Sequence, residues 1–392
     1  MNRLEIIFDI QRIGLNEVAE NILYYLDYAS LVSLKRTCWI IYIFISNTDI
    51  ENIKEVNKLN KEWKESNPKQ IVLDVQGLVS CAKFFDDGRK VAVGIDHSLQ
   101  VFHTSSQEDQ PILSLCNENS IIKCIDVNEE EKIIATGSTD GLLILWDAES
   151  GDQLILKQLF GRIDAIKWKS SRFVTAHFGR AFDAGCISLR EYISPTDFRV
   201  IHSIYEDLFP IFAIDFNDQF LSALEWSGTY NNVHGGNVNI YRMNNLEPVA
   251  NLSTVTGGYN YTNCRFFGNY LLTGGHDGVI NIWEMPIHND SDPMIIRSFI
   301  AHNGIIVRLE VDSFLQRIVS RDITGEISVW DLSKYSEEAP LIDTDDLLLR
   351  KIDSMSRTVT CLSMEKRRLF LGSIGAFNIQ DFWSRSFSPN DI

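Results

Sequence analysis

The sequence has no long hydrophobic run. Its longest unbroken apolar stretch, Cys38 to Ile45 within TCWIIYIFIS (37–46), has Lys35 and Arg36 before it and Asp49 after it. A helix needs about 20 apolar residues to cross a bilayer, so this stretch does not span one. Glu5, Asp9, Arg12, Glu17 and Glu20 interrupt the opening residues, which excludes the apolar centre of a secretory signal. The expectation is a non-secreted protein of the cytoplasm, with the nucleus also open to it. Cysteine is sparse as well: the seven (38, 81, 116, 124, 186, 264 and 361) are odd in number, widely spaced and contain no Cys-x-x-Cys. Neither a disulfide framework nor a zinc site follows from that spacing, and no metal or cofactor is expected.

Motifs that carry chemistry are missing too. There is no His-Glu-x-x-His, no Gly-x-Ser-x-Gly and no glycine-rich loop ending in Lys-Ser or Lys-Thr. A chain without catalytic residues is expected. Net charge is -17, the excess acid lies beyond residue 69, and no Lys/Arg cluster stands out along the sequence. Sequence-independent binding to nucleic-acid phosphates is therefore not expected.

What is present after Pro68 is repetition. TGSTDGLLILWDA (136–148), TGGHDGVINIWEM (273–285) and VSRDITGEISVWDL (319–332) each read as a strand, a tight Asp-containing turn and an alternating strand ending in Trp and an acid. With that Trp as a ruler, equivalents fall at Phe102, Trp146, Arg190, Tyr241, Trp283, Trp330 and Gln380. Each copy also has an apolar strand ahead of it, at 78–85, 121–127, 163–168, 211–216, 261–267, 305–311 and 358–364. A period of roughly 40–50 residues with four short strands and a Trp-acid signature resembles the WD-repeat propeller family over essentially all of the chain from residue 70.

The resemblance implies an all-β seven-bladed propeller over 70–392. In the family a loop His, a Ser or Thr, a turn Asp and the Trp form a structural hydrogen-bond chain, and His302, Ser320, Asp322 and Trp330 stand at those positions. After RTVTCLSM, RLFLGSI and AFNIQDF only SRSFSPNDI remains, poor material for a fourth strand, whereas QIVLDV (70–75) is an orphan strand before the first copy. Pairing of 70–75 with the last copy is expected to close the ring and remove its open edges.

Residues 12–53 place Leu15, Val18, Ile22, Leu23, Leu26, Leu31 and Leu34 at helical spacing. Together with Glu17, Asp27 and Cys38 they resemble the F-box, with Asn16 where the family has Pro and Ile41 where a Trp commonly follows the Cys. A small all-α F-box-like domain (1–48) is thus expected ahead of the propeller. Between them Ile53, Val56, Leu59 and Trp63 form one stripe of an amphipathic helical linker (49–69). TCWIIYIFIS then falls at the end of the F-box-like domain, with Cys38 and Ile41 in its core.

An F-box followed by WD repeats implies the substrate receptor of an SCF-type ubiquitin ligase, with a Skp-type adaptor, a cullin and a target protein as partners. Leu15, Asn16, Val18, Ile22, Leu26, Leu31, Leu34 and Cys38 are the adaptor-facing or F-box-core candidates, and the sequence does not separate those two roles. The alternative is a WD-repeat scaffold without any ligase connection. Two long loops, HFGRAFDAG (177–185) and EWSGTYNNVHGG (225–236), are expected on the binding rim. They offer Phe178, Arg180, Phe182, Trp226 and Tyr230, residue types enriched at binding hot spots, or else they pack on their neighbours. Arg162 and Arg321 are expected in loops of the same rim, where with Arg180 they suit an acidic or phosphorylated target or serve local salt bridges.

Overall fold

The structure is a computed structural model, and it describes residues 63, 68–105, 110–116, 120–179, 184–206, 210–230, 233–253, 260–286, 292–312, 317–332, 347–353, 359–366 and 368–382. The chain divides into two compact units, Met1–Ser66 with Ser384–Ile392, and Asn67–Trp383. Of the first unit only Trp63 is described, a buried residue in a helical position. The F-box-like segment with its eight candidate residues, and the linker up to Asn67 apart from Trp63, lie outside the described residues.

The second unit is built from antiparallel strands taken four at a time. The first group is β1 (Lys69–Phe85), β2 (Lys90–Ile95), β3 (Ser98–His103) and β4 (Leu113–Cys116). The second is β5 (Ile122–Asn128), β6 (Ile133–Ser138), β7 (Leu142–Asp147) and β8 (Gln153–Gln158). The third is β9 (Arg162–Lys169), β10 (Arg172–Gly179), β11 (Ala184–Ser194) and β12 (Asp197–Glu206). The fourth is β13 (Ile211–Phe216), β14 (Phe220–Tyr230), β15 (Val233–Arg242) and β16 (Pro248–Asn251). The fifth is β17 (Tyr261–Phe267), β18 (Tyr270–Gly275), β19 (Val279–Glu284) and β20 (Met294–Ile300). The sixth is β21 (Ile306–Asp312), β22 (Arg317–Asp322), β23 (Glu326–Asp331) and β24 (Leu348–Asp353). The last has three strands of its own, β25 (Cys361–Glu365), β26 (Arg368–Gly372) and β27 (Ile374–Asp381).

The fourth strand of the last group is the first half of β1. It pairs with β27 from Lys69↔Asp381 to Asp74↔Ala376, and its second half pairs with β2 from Val79↔Ile95 to Phe85↔Lys90. The sequence divides this stretch into two elements, 70–75 and 78–85, whereas the structure keeps one strand running through an irregularity. Gly77 sits in that irregularity at φ 130, and a Cβ there would meet the Asp96 carboxylate at 2.2 Å. A side chain would obstruct the bend by which one strand serves two sheets.

The innermost strands, the second half of β1 with β5, β9, β13, β17, β21 and β25, lie against one another in chain order, and β25 returns to β1. Polar contacts bind each step. Near the strand starts, the Ser80 hydroxyl donates to the Ile122 carbonyl at 2.5 Å, Thr262 donates to Ile306 and Thr360 to Val79. Near the ends, the Trp168 amide donates to Asp126 at 2.7 Å, the Phe266 amide to Asp215 at 2.7 Å and the Lys366 amide to Asp312 at 2.8 Å. Lys169 and Asp218, 3.0 Å apart, link the remaining step. Starts bond to starts and ends to ends, so these strands run in one direction around a common axis.

Apolar side chains fill the wedges between neighbouring groups instead of a single central core. Ile71, Leu73, Phe84, Phe370 and Phe377 occupy the wedge made by β1, β26 and β27, for example, and Ile163, Trp168 and Phe173 meet Ile133, Leu143 and Leu145 in another. The ruler residues Phe102, Trp146, Arg190, Tyr241, Trp283, Trp330 and Gln380 all lie on the third strand of their group and are all buried. Their partners follow from their chemistry. Trp146, Trp283 and Trp330 donate Nε1–H to Thr136, Thr273 and Ser320 at 2.9, 2.9 and 2.8 Å, and Arg190 donates Nη1–H to Thr175. Where the ruler residue is Phe102, Tyr241 or Gln380, the corresponding position on the second strand holds Val93, Ala223 or Leu371.

The clasp is testable by a pair of substitutions on one strand. Leu73 is 2% exposed and Val72 is 51% exposed. Leu73→Asp is expected to lower unfolding free energy by about 3–5 kcal/mol, and Val72→Asp to change it by less than about 1 kcal/mol. Urea unfolding followed by tryptophan fluorescence measures both; equal losses would deny the clasp its buried side.

Candidate functional site

The common direction of the inner strands gives the ring two different rims. One carries the starts of the inner strands and the turns between second and third strands. The other carries the turns that leave the inner strands, including the positive-φ residues Asp86, Asp87, Ser170 and Lys366. Around the axis runs a channel of about 1280 Å³. Lys83, Lys123, Arg162, Lys167, Lys169, Arg265 and Arg308 line it beside Asp126, Asp164, Asp215, Glu310, Asp312 and Glu365. In a chain of net charge -17 this lining is close to balanced.

Three ion pairs fix part of that balance. Arg265 meets Glu310 at 2.9 Å, Lys83 meets Asp126 at 3.5 Å and Arg162 meets Asp164 at 2.7 Å. Asp126 raises the Lys83 ammonium above its ordinary range. Burial alone would pull the Arg265 guanidinium down, but Glu310 and Asp215 outweigh it and hold it up. Burial likewise opposes ionisation of Glu310, and Arg265 reverses this. The thiols of Cys81, Cys124 and Cys361, also on the channel wall, are all pushed up by burial, which keeps them unreactive.

At the first rim the structure brings together part of the expected binding set. The Arg162 guanidinium lies over the Phe178 ring at 6.0 Å from its centroid. Beside them Phe160 is 44% exposed, and its ring fills the space a Cβ on Gly179 would need. Gly161, at φ 74, crosses so close to Phe178 that a Cβ would lie 2.1 Å from its carbonyl oxygen. Trp226, with Pro210 and Phe212, lines the channel below this cluster. Phe160 and Phe212 carry no motif; the fold leaves Phe160 exposed beside Gly179 and puts Phe212 on the channel wall.

Several sequence expectations need correction here. The described residues of the expected loops, 177–179 with 184–185 and 225–230 with 233–236, are strand. The β10–β11 pairing reaches Gly179↔Ala184, and the β14–β15 pairing reaches Tyr230↔Val233. Arg162 is the first residue of β9, and Arg321 lies within β22, where it is buried and faces Arg308 across the strands. Arg180, Phe182 and the Tyr230 side chain lie outside the described residues. His302, Ser320 and Trp330 meet around one hydroxyl, with His302 Nε2 at 2.7 Å from Ser320 Oγ. Asp322 accepts from Thr324 at 2.7 Å and from the Glu326 amide at 2.9 Å, and so holds the β22–β23 turn. Burial pulls His302 below its ordinary pKa, which favours the neutral ring.

Repeats, strand order and the buried Trp–hydroxyl pairs together define a WD-repeat, all-β propeller-like fold. A family model for the WD domain, G-beta repeat, matches residues 109–147 and 262–284, which contain the turns ending at Trp146 and Trp283. The chain is 21% identical over 254 residues to cilia- and flagella-associated protein 52 of Bos taurus, covering 65% of this chain and 32% of that protein. It is 28% identical over 114 residues to an uncharacterized WD repeat-containing protein of Schizosaccharomyces pombe, covering 29% of each. A chain in the crystal structure of the mitotic checkpoint complex superposes with a TM-score of 0.62 at 14% identity, covering 81% of this chain and 95% of that one. The chain therefore carries WD repeats and is homologous to WD-repeat proteins; the match spans about a third of the length of the ciliary relative. None of these matches supports the F-box resemblance of residues 1–48.

The channel offers a pH test. Burial, and after it Asp312, push the Glu365 carboxyl from 4.5 up to about 7. Since the native value exceeds the unfolded one, this group costs nothing below about pH 4.5, and its cost grows as pH rises through about 7. Glu365→Gln is expected to stabilise the protein by about 1–3 kcal/mol at pH 8 and to change little at pH 4.5. Urea midpoints at the two pH values measure the difference, and an equal effect at both would refute it.

Proposed function

We propose that this protein is a non-catalytic WD-repeat scaffold, a seven-bladed propeller that binds a partner protein on the rim carrying Phe160, Arg162 and Phe178. The supporting observation is that cluster: an exposed aromatic ring, an Arg stacked on a second ring, and Trp226 at the channel mouth. Aromatics and Arg supply large, rigid contact area and dominate binding hot spots. The seven-blade reading rests on the seven inner strands that meet in order around the axis.

Affinity capture followed by identification of the bound proteins tests this reading. Phe160→Asp is expected to weaken specific capture at least about tenfold, whereas Val200→Asp, at a 53% exposed position on the outer strand β12, leaves it unchanged. Equal effects of the two would remove the rim from the interaction.

The finer reading is the substrate receptor of an SCF-type ligase, with Leu15, Val18, Ile22, Leu26, Leu31, Leu34 and Cys38 forming or supporting an adaptor-binding surface. It rests on the F-box resemblance alone, and the scaffold accounts for the described residues without it. A pull-down with purified Skp-type adaptor separates the two readings, with Leu26→Asp and a chain starting at Lys69 as controls. The scaffold reading expects no adaptor on the intact chain. Retention by the intact chain and loss in both controls would replace it with the ligase reading.

A further inference from the structure

A second cavity, of about 410 Å³, opens at the same rim between the starts of β1, β5, β21 and β25. Lys123, Arg308 and Arg321 line it together with Ser80, Thr360 and Ile323, and no carboxylate does. This differs from the channel below, where cations and acids alternate. Lys123 is exposed and makes no ion pair among the described residues. Arg308 spends two N–H groups on carbonyls, those of Val307 at 2.9 Å and Thr360 at 2.8 Å, which orient its guanidinium without neutralising it.

The two arginines are direct cross-strand partners, Arg308 on β21 and Arg321 on β22. Like charges placed opposite one another on neighbouring strands are destabilising, and a bound anion relieves that cost. Their surroundings act in the same direction. Burial lowers both guanidinium pKa values; Arg265 adds to this at Arg308 and Arg308 adds to it at Arg321, against the opposing pull of Cys361 and Glu310 on the first and Asp322 on the second. The guanidinium group suits bidentate contact with a carboxylate, and Ile323 beside it suits an aliphatic neighbour. In a chain of net charge -17 the general field repels an acidic segment, so a local cluster of cations is where it can bind.

We infer that the Lys123–Arg308–Arg321 cavity binds a carboxylate side chain within an acidic segment of the partner protein. This inference rests on the rim being the partner-binding face and adds the chemistry of what is bound there.

Fluorescence anisotropy with the full chain and a fluorescein-labelled hexaglutamate peptide tests it. Labelled hexaglutamine and a phosphoserine peptide of the same length are run beside it, and inorganic phosphate is used as a competitor. Hexaglutamate is expected to bind and hexaglutamine not. Lys123→Gln and Arg308→Gln should each weaken binding about tenfold or more, while Lys157→Gln, at an exposed site on β8, should not. Thermal melts confirm that each variant is folded. Absence of binding, equal binding of hexaglutamine, or equal loss with Lys157→Gln overturns the inference. Tenfold preference for the phosphoserine peptide, or displacement by inorganic phosphate at comparable concentration, overturns the choice of carboxylate in favour of phosphate. The rim reading fails separately, through loss of the Phe160→Asp effect on partner capture.

Discussion

A ring of sheets stays closed without a covalent link only if its first and last groups share a strand, and β1 is that strand. Its first half completes the last group and its second half begins the first, so backbone hydrogen bonds join the beginning and end of the ring-forming chain. Contacts around the joint reinforce it: Thr360 donates to the Val79 carbonyl, Arg368 to the Gly88 carbonyl, and Lys366 pairs with Asp87 at 2.7 Å. Closing so long a loop costs entropy, but that cost grows only with the logarithm of length. A single strand with a buried apolar face, Ile71 and Leu73 against Phe377 and Ile379, is therefore enough to offset it.

Closure also explains how loosely the repeats resemble one another. Each wedge of side chains is shared only by adjacent groups, so a change in one group needs an answer only from its neighbours. The ruler position shows the rule at its smallest scale. An N–H from Trp or Arg is matched by a hydroxyl two places along the facing strand, and a ruler residue without such a donor, Phe102, faces Val93 instead. A buried polar group costs far more unpaired than an apolar pair does. At these five positions donor and acceptor change together, whereas the corresponding residues for Tyr241 and Gln380 are Ala223 and Leu371; sequence identity falls while geometry persists.

That rule decides what was legible in the sequence. Period, inner strands and ruler positions were readable because they follow from burial and turn chemistry; even Arg190 and Gln380, which look nothing like Trp, fall on the third strand. Loop boundaries were less readable. Gly228 faces Gly235 across β14 and β15, and a Gly-rich stretch that reads as loop from composition is strand there, because the pairing resumes after an irregularity between Trp226 and Gly228. Arg321 was assigned to a loop for a related reason: a charge beside Asp322 looks like turn chemistry, yet its backbone pairs with Ile327. The cluster of Lys123, Arg308 and Arg321 escaped notice because its members are far apart in sequence. Each occupies an unremarkable polar position in an alternating strand, and only the circular order of β5, β21 and β22 assembles them.

The distribution of charge follows from the same circular order. Inner strands present every second residue to the axis, and a basic residue there is repeated around the ring at Lys83, Lys123, Lys167, Arg265 and Arg308. Packed this closely without counter-charges they would repel one another, so acids from neighbouring strands interleave, as Glu310 does with Arg265 and Asp126 with Lys83. At the strand starts the pairing is uneven: Arg162 meets Asp164 at 2.7 Å, whereas the cavity shared by Lys123, Arg308 and Arg321 is lined by no carboxylate. Lys123 and Arg308 are thus exposed where the strands start, in a chain whose net charge is -17. The difference between the two ends of the inner strands is already present in the order of charges along them.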